Sequence, residues 1–164
     1  MGRVISISMV KNEADVIESF VRHTISFVDQ MLIADHSSTD KTPEILRQLQ
    51  AEGLPLTVRR VYVAGYVQVE TMNALLREAA MEERADIVLP LDADEFLIAD
   101  EGAASCREIV QGLDPHHLYR LPWRLYEPAY PHEEEARFLL ARPLRRGTAF
   151  ASGQKVMIGG ALYR

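Results

Sequence analysis

Cysteine, tryptophan, long apolar runs and surplus positive charge are all scarce in this chain. A single cysteine, Cys106, excludes an internal disulfide framework and fits a reducing compartment, which points to the cytoplasm. It falls among helically spaced apolar residues, where a small buried hydrophobe is expected. No stretch approaches the roughly 20 apolar residues that span a bilayer, so no transmembrane segment is expected. The apolar start, Val4 to Met9, meets Lys11, Glu13 and Asp15 at once, unlike a signal peptide. Lys and Arg number 18 against 24 Asp and Glu, a net charge of −6. That balance argues against nucleic acid as a partner but not against one nucleotide, which a metal and a few backbone amides can hold. Repeats and low-complexity segments are missing too. What is present, 164 residues with 48% hydrophobic and 26% charged, suits one compact domain with a sizeable core.

Strand and helix patterns alternate. Val4 to Met9 is a β-branched run expected as a buried strand. Asn12 is placed to cap a helix, with Glu13 and Asp15 in its first turn. Val16, Ile17, Phe20, Val21, Thr24 and Val28 supply that helix's apolar face. Gln30 to Ala34 reads as a second strand ending at Asp35. Thr42-Pro43 opens a second helix that Gly53 closes. Leu56 to Val63 is a third strand. Val69, Met72, Leu75, Leu76, Ala79 and Ala80 describe a third helix. Asp86 to Leu91 is a fourth strand, apolar enough for burial on both faces. Beyond Asp100, a short helix around Cys106 to Leu113 is expected, then strands at Tyr119 to Leu125, Phe138 to Ala141 and Lys155 to Ile158. The stretch Glu127 to Ala136 reads as a loop, and Asp114 to His117 as a surface turn. The class is α/β with a mostly parallel sheet and flanking helices.

In such sheets ligands bind beyond the carboxyl ends of the strands. Lys11, Asn12 and Glu13 follow the first strand, Asp35 to Asp40 the second, the Gly65 to Gln68 loop the third, and Asp92, Asp94 and Glu95 the fourth. Polar and acidic groups therefore converge on one sheet edge. If Asp92-Ala93-Asp94 stays extended, both carboxylates face one side. Like charges that close raise one pKa unless a cation lies between them. Mg²⁺ and Mn²⁺ suit the pattern, because they take one or two carboxylates plus phosphate oxygens. Glu95 then points the other way and braces the turn.

Val10-Lys11-Asn12-Glu13, Asp35-His36-Ser37-Ser38-Thr39-Asp40-Lys41-Thr42 and Leu91-Asp92-Ala93-Asp94-Glu95-Phe96 resemble, in order and spacing, three blocks of family 2 glycosyltransferases. The last is similar to that family's D-x-D block in a D-A-D-E-F form. The resemblance covers roughly residues 4 to 100. It implies the GT-A fold, a nucleotide-diphosphate-sugar donor (most often UDP-linked) and a divalent metal, Mn²⁺ or Mg²⁺. Residues 1–100 are then the nucleotide-sugar-binding half. Residues 101–164 are the start of an acceptor-side half, expected to be incomplete, within one domain. By position, Asp94 and Asp92 are implied as metal residues. Asn12, Glu13, Asp35, Ser37, Asn73 and Asp92 are implied on the donor side, Asp35 at the base or ribose. His36 and Ser37 depart from the family's usual Asp/Asn and Gly, and Thr71-Met72-Asn73 keeps only the Asn of its Ala-Arg-Asn signature.

Members of this family usually invert the sugar's anomeric centre, and a carboxylate deprotonates an acceptor hydroxyl. Glu133 and Glu134, with Glu127 and Glu135 beside them, are the candidates for that base. Lys155 and Arg124 are candidate diphosphate partners, and Trp123 a candidate platform for acceptor sugar. Two other readings stand beside this one. A nucleotidyltransferase of similar fold would carry a basic, glycine-rich loop after the first strand, where this chain has Lys11-Asn12-Glu13-Ala14. A non-catalytic nucleotide-sugar-binding module would keep the sheet without an acceptor half.

Overall fold

The computed structural model describes residues 2–63, 65, 67–128 and 144–164, with side chains for 2–63, 65, 67–126 and 154–164. The elements run β1 (Val4–Val10), α1 (Ile17–Thr24), β2 (Gln30–Asp35), α2 (Thr42–Ala51), β3 (Leu56–Arg60), α3 (Gln68–Arg77), β4 (Ile87–Pro90), α4 (Cys106–Gln111), β5 (Leu118–Pro128) and β6 (Leu144–Gly159). A π-helical turn, Glu78–Glu82, continues α3.

The six strands of the described residues form one sheet in the order β3-β2-β1-β4-β6-β5. β1 pairs parallel with both β2 and β4, and β2 with β3. β6 runs antiparallel to β4 and to β5. The α/β class with a mostly parallel sheet is thus observed. The chain builds outward from β1 to β3, then crosses back to place β4 on β1's other side. That reversal is a topological switch point, where the loops leaving β1 and β4 part and open a crevice.

Burial on both faces explains the near-continuous apolar strands. Met31, Ile33, Ile87 and Leu89 pack with Phe20 and Val21 of α1 and Leu46 and Leu49 of α2. Their neighbours Ile5, Ile7, Leu32 and Val88 pack on the other face with Leu75 and Ala79. Alternate residues of each strand thus feed opposite layers. Each such side chain contributes about 1.5–3 kcal/mol on full burial.

The differences from expectation lie at element ends. Asn12 caps no helix: its φ is 58°, α1 starts at Ile17, and only Glu18 is acidic in its first turn. A residue that caps a helix adopts the β region instead. β3 stops at Arg60; past it the Val61 N–H still donates to the Asp35 carbonyl of β2, while the Val61 and Val63 carbonyls meet the Ser37 hydroxyl and His36 Nε2. β5 extends through Pro128, which takes Glu127 and Pro128 out of the expected loop. Tyr119 and Leu121 pack on the core, whereas Trp123 and Leu125, further along β5, are exposed. Cys106 is only partly buried. The expected strand at Phe138 to Ala141 lies outside the described residues.

Candidate functional site

The loop after β1 and the turn after β2 are fastened together. The Asn12 N–H donates to Ser38 Oγ (2.9 Å), the Glu13 N–H to Thr42 Oγ1 (2.8 Å) and the Ala14 N–H to Asp40 Oδ2 (3.0 Å). In return Asn12 Oδ1 accepts from the Thr39 N–H at 2.8 Å. Asp40 Oδ1 also accepts from the Thr42 N–H at 2.9 Å. Most of the Ser38-to-Thr42 block therefore holds the neighbouring loop. Burial pushes Asp40 upward, but the bonds from Thr42 and Ala14 outweigh it and hold the carboxyl below its ordinary range.

Asp35 and the two residues after it tie this turn to the chain leaving β3. The Ser37 hydroxyl donates to the Val61 carbonyl (2.8 Å), and His36 Nε2 lies 2.9 Å from the Val63 carbonyl. Ser37 adopts φ 53°. Asp35 is fully buried, and its Oδ1 accepts from the Ser38 N–H at 3.1 Å. Its Oδ2 sits 3.4 Å from Arg60 Nε, an ion-pair distance, yet accepts no hydrogen bond.

The acidic segment after β4 is a turn rather than an extended strand, since the Glu95 N–H donates to the Asp92 carbonyl at 3.0 Å. Phe96 anchors it, edge-on to Phe20 at 6.3 Å and against His23 at 5.3 Å. His23 Nε2 contacts the Leu97 carbonyl at 2.8 Å. Ala93 is buried in the core, which turns the aspartates outward on either side of it. Glu95 braces the turn as expected: its Oε2 accepts from the Asp92 N–H at 2.9 Å. Lys155, from β6, closes the arrangement, with Nζ 2.9 Å from Asp92 Oδ2 and 2.6 Å from Glu95 Oε2. Burial disfavours the ammonium, but its bonds to Glu95 and Asp92 prevail and raise its pKa. Lys155 is thus engaged by carboxylates, not free to face a diphosphate.

Together these loops surround an open cleft of about 580 Å³ at the switch point. Glu13, Asp92 and Asp94 line it, facing a wall that includes His36, Val67 and Gln68. The Glu13 carboxyl is raised above its ordinary range, first by burial and then by the negative charges of Asp94, Asp15, Asp40 and Asp92. Such a concentration of negative charge favours a cation. Among the described residues, no three His, Cys, Asp or Glu groups gather into a metal cage. Mg²⁺ and Mn²⁺ need no cage, since one or two carboxylates and substrate phosphates suffice. An exposed Asp94 and an Asp92 side chain that is 41% exposed fit that requirement.

Of the expected site residues, the fold brings Glu13, Asp92 and Asp94 to one cleft. Asn12, Asp35 and Ser37 are not on its lining; their side chains hold the loops around it. Asn73 is exposed on α3 and also off the lining. It lies two residues, roughly 200° of helix, from buried Leu75, and so faces solvent. Glu133, Glu134 and Glu135 fall outside the described residues, as does the side chain of Glu127. The Gly65 to Gln68 loop lines the cleft where it was expected, but two features escaped the sequence reading: Lys155 as partner of the acidic turn, and the fastening by Ser38, Asp40 and Thr42. The unbroken polar run from Asp35 to Thr42 marks a turn but not its partners.

No family model matches the chain, and no curated protein does. Solved structures do. It is 25% identical to the mannosyltransferase PcManGT from Pyrobaculum calidifontis, determined with GDP-Man and Mn²⁺. That match has a TM-score of 0.55 and covers 77% of this chain and 36% of that one. TarS 1-349 of S. aureus, determined with UDP, is 18% identical with a TM-score of 0.55, over 75% of this chain and 35% of that one. The second likeness speaks to fold alone. The chain spans about a third of the length of either protein. The fold is that of the GT-A-type glycosyltransferases. Within that class, the chain is similar to family 2 enzymes.

Proposed function

We propose that this chain is the nucleotide-sugar-binding part of a cytoplasmic glycosyltransferase that moves a sugar, as a UDP-sugar donor, to an acceptor hydroxyl with inversion. The observation that carries this reading is the meeting of Glu13, Asp92 and Asp94 in one cleft at the switch point of a GT-A sheet. Asp94, with Asp92 beside it, would hold Mn²⁺ or Mg²⁺. When bound, the ion neutralises charge on the departing diphosphate. Buried Asp35, off the cleft lining, would serve the base or ribose side indirectly, by fixing the loop after β2 through the Ser38 N–H on Oδ1 and Arg60 beside Oδ2. Residues 1–100 form the donor half. Residues 101–164 begin the acceptor half, and Glu133 or Glu134 there takes the acceptor's proton. A base must come within hydrogen-bond reach of the acceptor oxygen.

Thermal melting with UDP, GDP, dTDP and nucleoside triphosphates, each with and without Mn²⁺, tests the reading. At a ligand concentration near 100 times Kd, a nucleoside diphosphate with Mn²⁺ should raise Tm by roughly 5–10 °C. Asp94→Asn should abolish the metal-dependent part while leaving the unliganded Tm within about 1 °C, as befits an exposed turn residue. Stabilisation by triphosphates alone would instead favour a nucleotidyltransferase. No shift with any nucleotide would end the donor-site reading.

A further inference from the structure

We propose that Lys155 is the built-in counter-cation of the acidic turn, a positioning residue that competes with the metal for Asp92 and so weakens that carboxylate's share in the site beside Asp94. The inference rests on the donor-site reading above and deepens it.

Lys155 is, with Arg124, a candidate diphosphate partner from the sequence. The geometry differs. Lys155 Nζ lies between Asp92 Oδ2 at 2.9 Å and Glu95 Oε2 at 2.6 Å, and 5.7 Å from the centroid of the Trp123 ring. Its side chain is only 19% exposed. To reach a phosphate it would abandon both carboxylates. Glu95 would then be left with no partner on either oxygen except the Asp92 N–H, because its Oε1 is buried and already unbonded. Stranding a buried charge in that way is strongly unfavourable. The Asp92 N–H, Glu95 Oε2, Lys155 Nζ and Asp92 Oδ2 instead form a closed ring of charge-assisted bonds, which are the short, strong kind. Asp94 stands outside the ring. It is exposed, and among the described residues it makes no hydrogen bond or ion pair. A cation entering the cleft meets a free Asp94, and an Asp92 with one oxygen already taken by an ammonium.

Removing the ammonium should therefore strengthen metal binding, a gain that mere structural damage would not produce. Titration of Mn²⁺, followed by the electron paramagnetic resonance of the free ion in buffer and again with UDP, compares wild type, Lys155→Met and Lys155→Arg. Lys155→Met should bind Mn²⁺ roughly fivefold tighter at low ionic strength, and 0.5 M salt should shrink the gain. Lys155→Arg should stay within about twofold of wild type, because it keeps the charge. The gain should vanish when Asp92→Asn is added to Lys155→Met. Melting curves confirm that the variants are folded; if Lys155→Met is not, Lys155→Gln takes its place. Wild type that binds Mn²⁺ beside a folded Lys155→Met or Lys155→Gln that binds no tighter overturns this inference alone. Wild type that binds no Mn²⁺ in either buffer overturns the donor-site reading with it.

Discussion

Asp40 illustrates how one turn residue serves a site it does not line. Its two oxygens accept from the Ala14 and Thr42 N–H groups, and so fix the loop that carries Glu13 to the cleft. These bonds favour the ionised form, and the folded-state pKa lies below the ordinary value. A depressed carboxyl pKa contributes stability that is fully present above the unfolded value, about 3.9, and is lost as pH falls through the folded value. Asp40→Asn should therefore melt below wild type at pH 7. The gap should hold down to about pH 5 and close below about pH 4. Tm measured against pH for both proteins checks this, and a gap that widened in acid would refute it. Glu13 has the opposite sign, raised by burial and by its acidic neighbours.

At the scale of elements, α2 shows burial and exposure divided along one short helix. Leu46 and Leu49 are fully buried while Glu44 and Arg47 face water, the 3.6-residue pattern of a surface helix. Pro43 lies in the first turn, where its missing N–H has no intrahelical role. Gly53 follows the helix at φ 86°, a backbone that glycine adopts without strain. Leu46→Ala should cost about 2–5 kcal/mol in denaturant unfolding, whereas Glu44→Ala should stay within about 0.5 kcal/mol. Thr42, the first residue of α2, bonds the Glu13 N–H, so loosening this helix also loosens the cleft. Nucleotide-induced stabilisation in Leu46→Ala, measured below its midpoint, should fall with it.

For the whole molecule, the decisive join is β6 against β4, because β6 brings Lys155 to the acidic turn. β4 contributes only four residues, Ile87–Pro90, and only two of its registered pairs face β6. The end of β6 is fixed on both sides: the Gly159 N–H bonds the His117 carbonyl just before β5 at 2.9 Å, and the Gly160 N–H that follows bonds the Asp86 carbonyl just before β4 at 2.7 Å. A Cβ on Gly160 would collide with the Ala85 backbone carbonyl, and one on Gly159 with Pro115. Backbone cannot swing aside as a side chain does. Gly160→Ala should therefore lower stability by about 1–3 kcal/mol. It should also weaken the Lys155 contact, which a reduced effect of Lys155→Met in the Gly160→Ala background would report. Additivity of the two substitutions would show that the seam and the ion-pair ring are independent.

The apolar periodicity alone determined the order and type of β1 through α3, because strands buried on both faces and helices buried on one leave distinct patterns. It also placed Asp92 and Asp94 at the end of β4, where a parallel sheet presents its ligands. Side-chain partnership was decided by tertiary structure. Local pattern makes Asn12 a helix cap, but its side chain bonds a chain segment more than twenty residues away, and the Ser37 hydroxyl does the same. Lys155, a candidate diphosphate partner by sequence, pairs with Asp92 across 63 residues. Hydrogen bonds and ion pairs at such separations depend on how strands are ordered in the sheet, and local sequence carries no record of that order.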